Sequence, residues 1–507
     1  MGRLKLLKCN SSNYTMTIDD NIHPFENYSG SSSLVRPRNI FLLLLAIAAF
    51  AFVAAKMQLM GVGILIGLFF GIIYLYLLFT WPILGVYTAV ALGFLLIGIG
   101  RYVKDVQVGL GMDAILILTY LALFMKRFNE RIDWSPANKD ITFLAILWFG
   151  YALFELVNPE ARSVVAWFSG RGGSLYLLLL APLTLIFINS NRKLDIFLYV
   201  WGVFSILASI KGILQLQFGL DYAEKAWMAE GNYKTHILFG KLRVFSFLSD
   251  AGQFGGTQGY AAVVFTIYSM AQKVKLKKYF FIAVALLAFY GMIISGTRGA
   301  MGVPLAGFML FFVLRKNIKV LGIGVGILAI VFIFFRFTSI GQGNDQIRRM
   351  RTAFDPNDAS LQVRLDNQKI LKRYLASRPF GGGIGHGGVK AQKYLPNAFL
   401  SQIATDSWYV LIWVEEGIVG LLIHLFILFY TVGKASYKVM FRIRDPMLKL
   451  KIGALTSGMF GVMVASYGNA VLGGMPTAIM IYISMAIMLN SDILDEPEPQ
   501  PVMTILK

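Results

Sequence analysis

From Phe41 to Leu489 the chain alternates long apolar runs with short polar breaks. A helix that crosses a bilayer needs about 20 mostly apolar residues. Read that way, the pattern predicts helices over 40–56, 59–80, 82–100, 107–125, 141–157, 174–190, 195–218, 252–271, 279–296, 299–314, 319–336, 408–433, 452–468 and 471–490. Several are short and rich in glycine, so the expectation is an all-α polytopic integral membrane protein with about 12–14 transmembrane helices. Two connections are long, 219–251 and 337–407. Long connections are uncommon in compact proteins unless they do something, and together these could cap one face.

Composition agrees with the hydropathy pattern. The 507 residues are 57% hydrophobic and only 15% charged, with a mean hydropathy of +0.64. A soluble protein carries about 25% charged residues. Cys9 is the only cysteine, which excludes an intramolecular disulfide and a cysteine metal cluster. His23, His236, His386 and His424 are scattered, with no H-x-x-x-H spacing, so no zinc site is expected; no cofactor is expected either.

The net charge is +20. In a soluble chain that would suggest nucleic acid. In a membrane chain, Lys and Arg collect in cytoplasmic loops. With the N-terminus inside, the inner segments hold Arg36 and Arg38, the 126–139 bases, Arg192 and Lys193, the 273–278 lysine run, Arg315, Lys316, Lys319, and Lys434 to Lys451. The short outer loops hold far fewer. No nucleic-acid partner is expected, and both termini are read as cytoplasmic. The expected organisation is a cytosolic polar tail (1–38), an N-terminal transmembrane bundle (39–336) with an outer loop at 219–251, and a large outer loop (337–407) containing short helices. C-terminal transmembrane helices (408–490) and a cytosolic tail (491–507) complete it.

Residues 381–388 read GGGIGHGG, and Gly383, Gly385 and Gly388 match G-x-G-x-x-G. A dinucleotide fingerprint needs a strand before it and a helix after it. Here the preceding LQVRLDNQKILKRYLASRPF has helical apolar spacing, and Pro379 ends it. A phosphate-binding P-loop fails as well, because Val389 stands where a lysine is needed. The bare backbone of Gly382, Gly383, Gly385 and Gly387 suits close approach of a ligand to main-chain N–H groups, or a hinge.

The outer half also holds more arginine than the charge rule predicts. Near the membrane lie Arg162, Arg171, Arg243, Arg298 and Arg336. The long loop holds Arg348, Arg349, Arg351, Arg364, Lys369, Lys372, Arg373 and Arg378. Guanidinium forks bind phosphate oxygens in pairs, although any single arginine at a helix end can simply anchor in headgroups. Arg298 in SGTRGAMG, Arg243 in RVFSFLSDAGQFGG and Arg364 in SLQVRLDNQ stand out. Lys211 and Glu155 fall inside expected spans, which makes each either functional or paired.

RPFGGGIGHGG followed by TDSWYVLIWVEEGIVGLLIHLFIL resembles the O-antigen ligase and O-antigen polymerase superfamily, as do SGTRGA at 295–300 and RVFSFLSDAGQFGG at 243–256. The resemblance covers about 240–435. It implies a metal-independent glycosyltransferase of the bacterial inner membrane with its active face in the periplasm. The implied donor is an undecaprenyl-pyrophosphate-linked glycan. The implied acceptor is lipid A–core in ligases or a second lipid-linked glycan in polymerases, with membrane lipid around both. On that reading Arg298, Arg243, Arg364 and Arg171 bind the leaving pyrophosphate. Gly382, Gly383, Gly385 and Gly387 form a glycan-contacting loop. Many ligases carry a histidine just before the E-x-G-x-x-G helix; here QIATDSW puts Asp406 there. The base is then His386, Asp406 or Glu416, and the missing histidine leans toward a polymerase. Two other classes stay open: a transporter or flippase for lipid-linked sugars, which would more often show internal repeats, and a non-catalytic partner of a cell-wall polymerase.

Overall fold

The computed structural model describes residues 66–103, 109–126, 132–238, 240–343, 345–352 and 359–495. The expected tail 1–38, the first span at 40–56 with Arg36 and Arg38, the inner-loop Arg127 and Arg131, and the end of the C-terminal tail lie outside these residues. Contacts divide the chain into two units, Met1–Leu75 and Tyr76–Lys507. Of the first unit, only 66–75 are described, as the start of a helix. The second unit holds every other element of the fold.

Among the described residues every regular element is a helix, apart from a two-residue antiparallel pairing of Ile237–Leu238 with Lys241–Leu242. In chain order the helices are α1 (Ile66–Thr80), α2 (Ile83–Ile99), α3 (Gly109–Lys126), α4 (Asp140–Phe154), α5 (Val164–Gly170), α6 (Gly172–Phe187) and α7 (Asn191–Phe218). Then come α8 (Tyr222–Trp227), α9 (Tyr233–His236), α10 (Ala251–Met270), α11 (Lys275–Ile294), α12 (Gly302–Leu314) and α13 (Ile318–Phe337). The last are α14 (Asp345–Arg351), α15 (Ala359–Leu375), α16 (Trp408–Tyr437), α17 (Pro446–Ala465), α18 (Thr477–Leu489) and α19 (Ser491–Leu494).

Among the described residues, seven helices are long and apolar enough to cross a membrane. An eighth span is formed if the α5–α6 pair, bent by 46°, counts as one, and four more apolar helices are shorter. The chain is a multi-pass, all-α membrane protein. Its central helices are α10, α17 and α18, buried almost along their full length. The glycines of GQFGGTQGY in α10 allow this. A Cβ at Gly255 would lie 2.3 Å from the Ser295 hydroxyl, so α10 and the turn after α11 could not approach as they do.

Lys211 and Glu155, the two span residues that the sequence singles out, are both partnered. Lys211 on α7 meets Asp221 at 2.9 Å and Glu224 at 3.0 Å, at the start of the 219–250 connection. Glu155, at the end of α4, accepts from Asn158 Nδ2 at 2.7 Å.

The other long connection is fastened by a seam. Helix α16 is broken at Gly417, where φ is 66° and ψ −168°. The break exposes carbonyls that an unbroken helix would use, and the glycine loop takes them. Gly382 N–H donates to Val414 O at 2.8 Å and Gly383 N–H to Glu415 O at 2.9 Å. Gly387 N–H reaches the Glu415 carboxylate at 3.2 Å. The approach leaves no room for a side chain: a Cβ at Gly381, where φ is 78°, would lie 2.4 Å from the Gly417 nitrogen. His386 locks the loop's far side. Its Nδ1 donates to Ile384 O at 3.0 Å, while Nε2 accepts the amides of Arg162 and Ser163 at 2.9 and 3.2 Å.

These contacts set two expectations. Lys211→Met leaves the buried Glu224 carboxylate without its cation, which should lower stability by about 3–5 kcal/mol. Adding Glu224→Gln should restore most of it, and thermal unfolding of single and double variants in detergent checks this. The second concerns pH. Burial holds the His386 imidazole below its ordinary 6.5, and protonation would put a hydrogen against two amide donors. The latch is therefore complete above pH 6.5 and weakens as pH falls below it. Hydrogen exchange at 381–388, corrected for intrinsic rate, should rise on acidification in the wild type. It should be pH-independent in His386→Asn, and a flat wild-type profile would dismiss the latch.

Candidate functional site

Three local devices present the arginines. The first is the turn after α11. Gly296, at φ 58°, reverses the chain, and Arg298 opens a short 3-10 turn leading into α12. A side chain at Gly299 would run into Asn469, so Arg298 is held where the turn meets the segment after α17. The second is the stretch before α10. Asp250 caps that helix, accepting from Gln253 N–H at 2.9 Å, and the same stretch carries Arg243. The third is the 337–407 connection, whose helices α14 and α15 carry Arg349 and Arg364.

These devices converge. Arg243 donates to Thr297 Oγ1 at 3.2 Å and to Thr235 O at 3.3 Å. Its Nε is buried with no acceptor among the described residues. Arg298 donates to Thr352 Oγ1 at 2.9 Å, and that hydroxyl donates to Arg349 O at 2.8 Å, which docks α14 on the Arg298 turn. Arg364 Nε meets Asp406 Oδ2 at 3.0 Å. The four guanidiniums feel one another. Burial lowers the pKa of Arg243; Asp250 raises it, Arg298 and Arg364 lower it, and Asp406 raises it. Burial, then Arg243 and Arg298, lower Arg349 to about 10. Asp250 is held below the ordinary carboxylate range. Burial opposes this, but Lys390, the Gln253 amide and the Ser249 hydroxyl outweigh it. The site thus concentrates positive charge that its own carboxylates only partly offset.

The residues singled out by the sequence divide. Arg298, Arg243, Arg364 and Asp406 come together. Arg171 stands apart from them: it is ion-paired with Asp113 and lies over the Phe168 ring at 3.6 Å. His386 has both ring nitrogens engaged in the latch. Glu416 is buried in the bundle, accepting from Trp148 Nε1 at 3.0 Å. The amides of Gly382, Gly383 and Gly387 are spent on the seam. A Cβ at Gly385 would lie 2.0 Å from Ala166 O, so that position too is packed against protein. Arg349 was not singled out by the sequence. It sits among Arg348 and Arg351 with no motif around it, and only its nearness to the Arg243 and Arg298 charges identifies it. Among the described residues, no three His, Cys, Asp or Glu side chains are placed to hold a metal ion.

Comparison with known proteins adds one finding. No curated protein and no solved structure matches the chain. Residues 283–425 match the family model described as O-antigen ligase, a segment that holds the Arg298 turn, Arg349, Arg364, the glycine loop and Asp406. Over that segment the chain is similar to the O-antigen ligase and polymerase superfamily.

Proposed function

We propose that this protein transfers a glycan from undecaprenyl pyrophosphate to an acceptor hydroxyl at the periplasmic face of the bacterial inner membrane. The acceptor is lipid A–core or a second lipid-linked glycan. One observation carries the reading: Arg243, Arg298 and Arg364, from three separate segments, gather around Thr297, Thr352 and Asp406, and Arg349 lies within electrostatic reach of Arg243 and Arg298. Like charges are brought together in a fold only against repulsion. A polyanion relieves that repulsion, and a lipid pyrophosphate is the polyanion this family's chemistry releases.

The reaction follows from the charges. The acceptor oxygen attacks the anomeric carbon, and the bond from that carbon to the pyrophosphate oxygen breaks. The electron pair stays on the leaving oxygen, where negative charge grows. Guanidiniums already in place stabilise that growth without reorganising, which lowers the barrier more than it tightens ground-state binding. The acceptor's proton goes to Asp406. Its carboxylate is half-exposed and oriented by Arg364, whereas His386 has both nitrogens engaged and Glu416 is enclosed. The guanidiniums carry the charge that a metal supplies in other transferases.

Arg298→Ala and Arg349→Ala should each slow transfer from purified undecaprenyl-pyrophosphate glycan by about 10²–10³-fold, the usual loss for one preorganised donor. Asp406→Asn should lower kcat more than it changes KM. Arg171→Ala, already neutralised by Asp113, should have a much smaller effect. In a knockout strain, loss of long chains with single repeats left on lipid A–core identifies a polymerase. Long chains stranded on the lipid carrier identify a ligase. Unchanged polysaccharide, where no second such enzyme exists, would refute the proposal.

A further inference from the structure

The other end of α16 carries a feature that transfer chemistry does not use. About 30 Å of helix, at 1.5 Å per residue, separates Gly417 from Tyr437. That is close to the hydrocarbon thickness of a bilayer. A cavity of about 320 Å³ lies there, lined by Lys434, Tyr437, Lys438, Arg442 and Asp492. It is therefore about one bilayer thickness from the seam that borders the arginine site.

Lys434, Lys438 and Arg442 recur every fourth residue, which places all three on one side of the helix. The chain then closes with a wide turn, Lys438–Arg442, in which Ile443 N–H donates to Lys438 O at 2.9 Å. Two of the cations are fixed. Lys434 pairs with Asp140, and Lys438 pairs with Asp492 and donates to Leu489 O at 2.7 Å. Arg442 is exposed, and among the described residues it makes no hydrogen bond or ion pair. Its guanidinium lies 6.0 Å from the Tyr437 ring, and Tyr437 in turn packs on Phe441 at 5.4 Å. Lys316, from the turn between α12 and α13, sits 4.2 Å over Phe441. Tyr437 and Phe441 are both more than half exposed.

We infer that this cavity binds the phosphodiester headgroup of an anionic phospholipid in the leaflet opposite the arginine site. The charge and the shape argue together. Three cations against two carboxylates leave the Arg442 charge uncompensated, which suits a phosphate. Exposed aromatic rings at the same level suit the boundary between headgroups and acyl chains, where Tyr is enriched. Basic pockets between transmembrane helices take anionic headgroups for these reasons. A free phosphate would use the cations but gain nothing from the aromatic rim.

Native mass spectrometry of the full chain tests this, counting phosphatidylglycerol retained from mixed phosphatidylglycerol–phosphatidylcholine micelles. Wild type should keep phosphatidylglycerol in preference to phosphatidylcholine. Arg442→Gln should lower retention about fivefold, the loss of one juxtamembrane cation. Arg444→Gln, which does not line the cavity, should change it little. Lys316→Gln reaches the site from another element and decides the matter if Arg442→Gln folds poorly. Equal losses in Arg442→Gln and Arg444→Gln would mean only general surface attraction and overturn the site. So would retention unmoved by Arg442→Gln and Lys316→Gln. Displacement of the lipid by inorganic phosphate that is itself retained would reassign the cavity to a soluble anion.

Discussion

The break in α16 at Gly417 is the constraint on which the rest of the site depends. An unbroken helix would keep the carbonyls of Val414 and Glu415 for itself. Because the helix breaks, those carbonyls accept from Gly382 and Gly383, and the 337–407 connection is fastened to the bundle there. The same loop reaches the segment after α4 through His386 and through Asn158, whose amide donates to Phe380 O at 3.1 Å. Arg378 adds an ion pair with Glu160 at 3.0 Å. Two segments far apart in sequence, α16 and the stretch after α4, thus meet on one loop. Arg364 and Asp406 lie on either side of that loop, so their position follows from it.

That anchoring has an electrostatic purpose. Arg243 and Arg298 belong to the bundle and Arg349 and Arg364 to the connection. Left to themselves, two sets of like charges would separate. Short polar bridges hold them: Thr297 takes Arg243, and Thr352 takes Arg298 while closing on the end of α14. Asp406 offsets part of the charge without enclosing Arg364, since both side chains remain partly exposed. Complete neutralisation, as at Arg171 with Asp113, would remove the attraction for an anion.

The helices were readable from the sequence because burial in lipid writes itself as length and hydropathy. The predicted 195–218, 252–271, 279–296 and 319–336 fall within a few residues of α7, α10, α11 and α13. The Arg298 turn was readable because small residues around a lone arginine between apolar runs leave little else for it to do. Arg349 was not, since nothing local separates it from Arg348 and Arg351; its distinction is nearness to the charges of Arg243 and Arg298, which belong to other segments. The glycine loop shows a different limit. A run of glycines signals close approach of backbone, but not what approaches. Here the partner is the chain itself, at Gly417, Ala161 and Ala166, and the amides of Gly382, Gly383 and Gly387 are satisfied internally. His386 shares that limit, because only contacts at both ring nitrogens separate a latch from a base.

The division of the arginines between bundle and connection has a thermodynamic consequence. An anion that touches both sets binds the docked arrangement and not the separated one. It therefore stabilises docking by the logarithm of its concentration over its dissociation constant. The seam at Gly417 fixes one edge of the connection regardless of ligand, while the Thr352 bridge at the other edge is a single exposed hydroxyl. In the proposed reaction, binding energy from the pyrophosphate is available at that edge, where it completes the cluster around the leaving group, and departure of the anion after transfer loosens the same edge. On that proposal, docking of α14 and retention of the leaving group are one equilibrium.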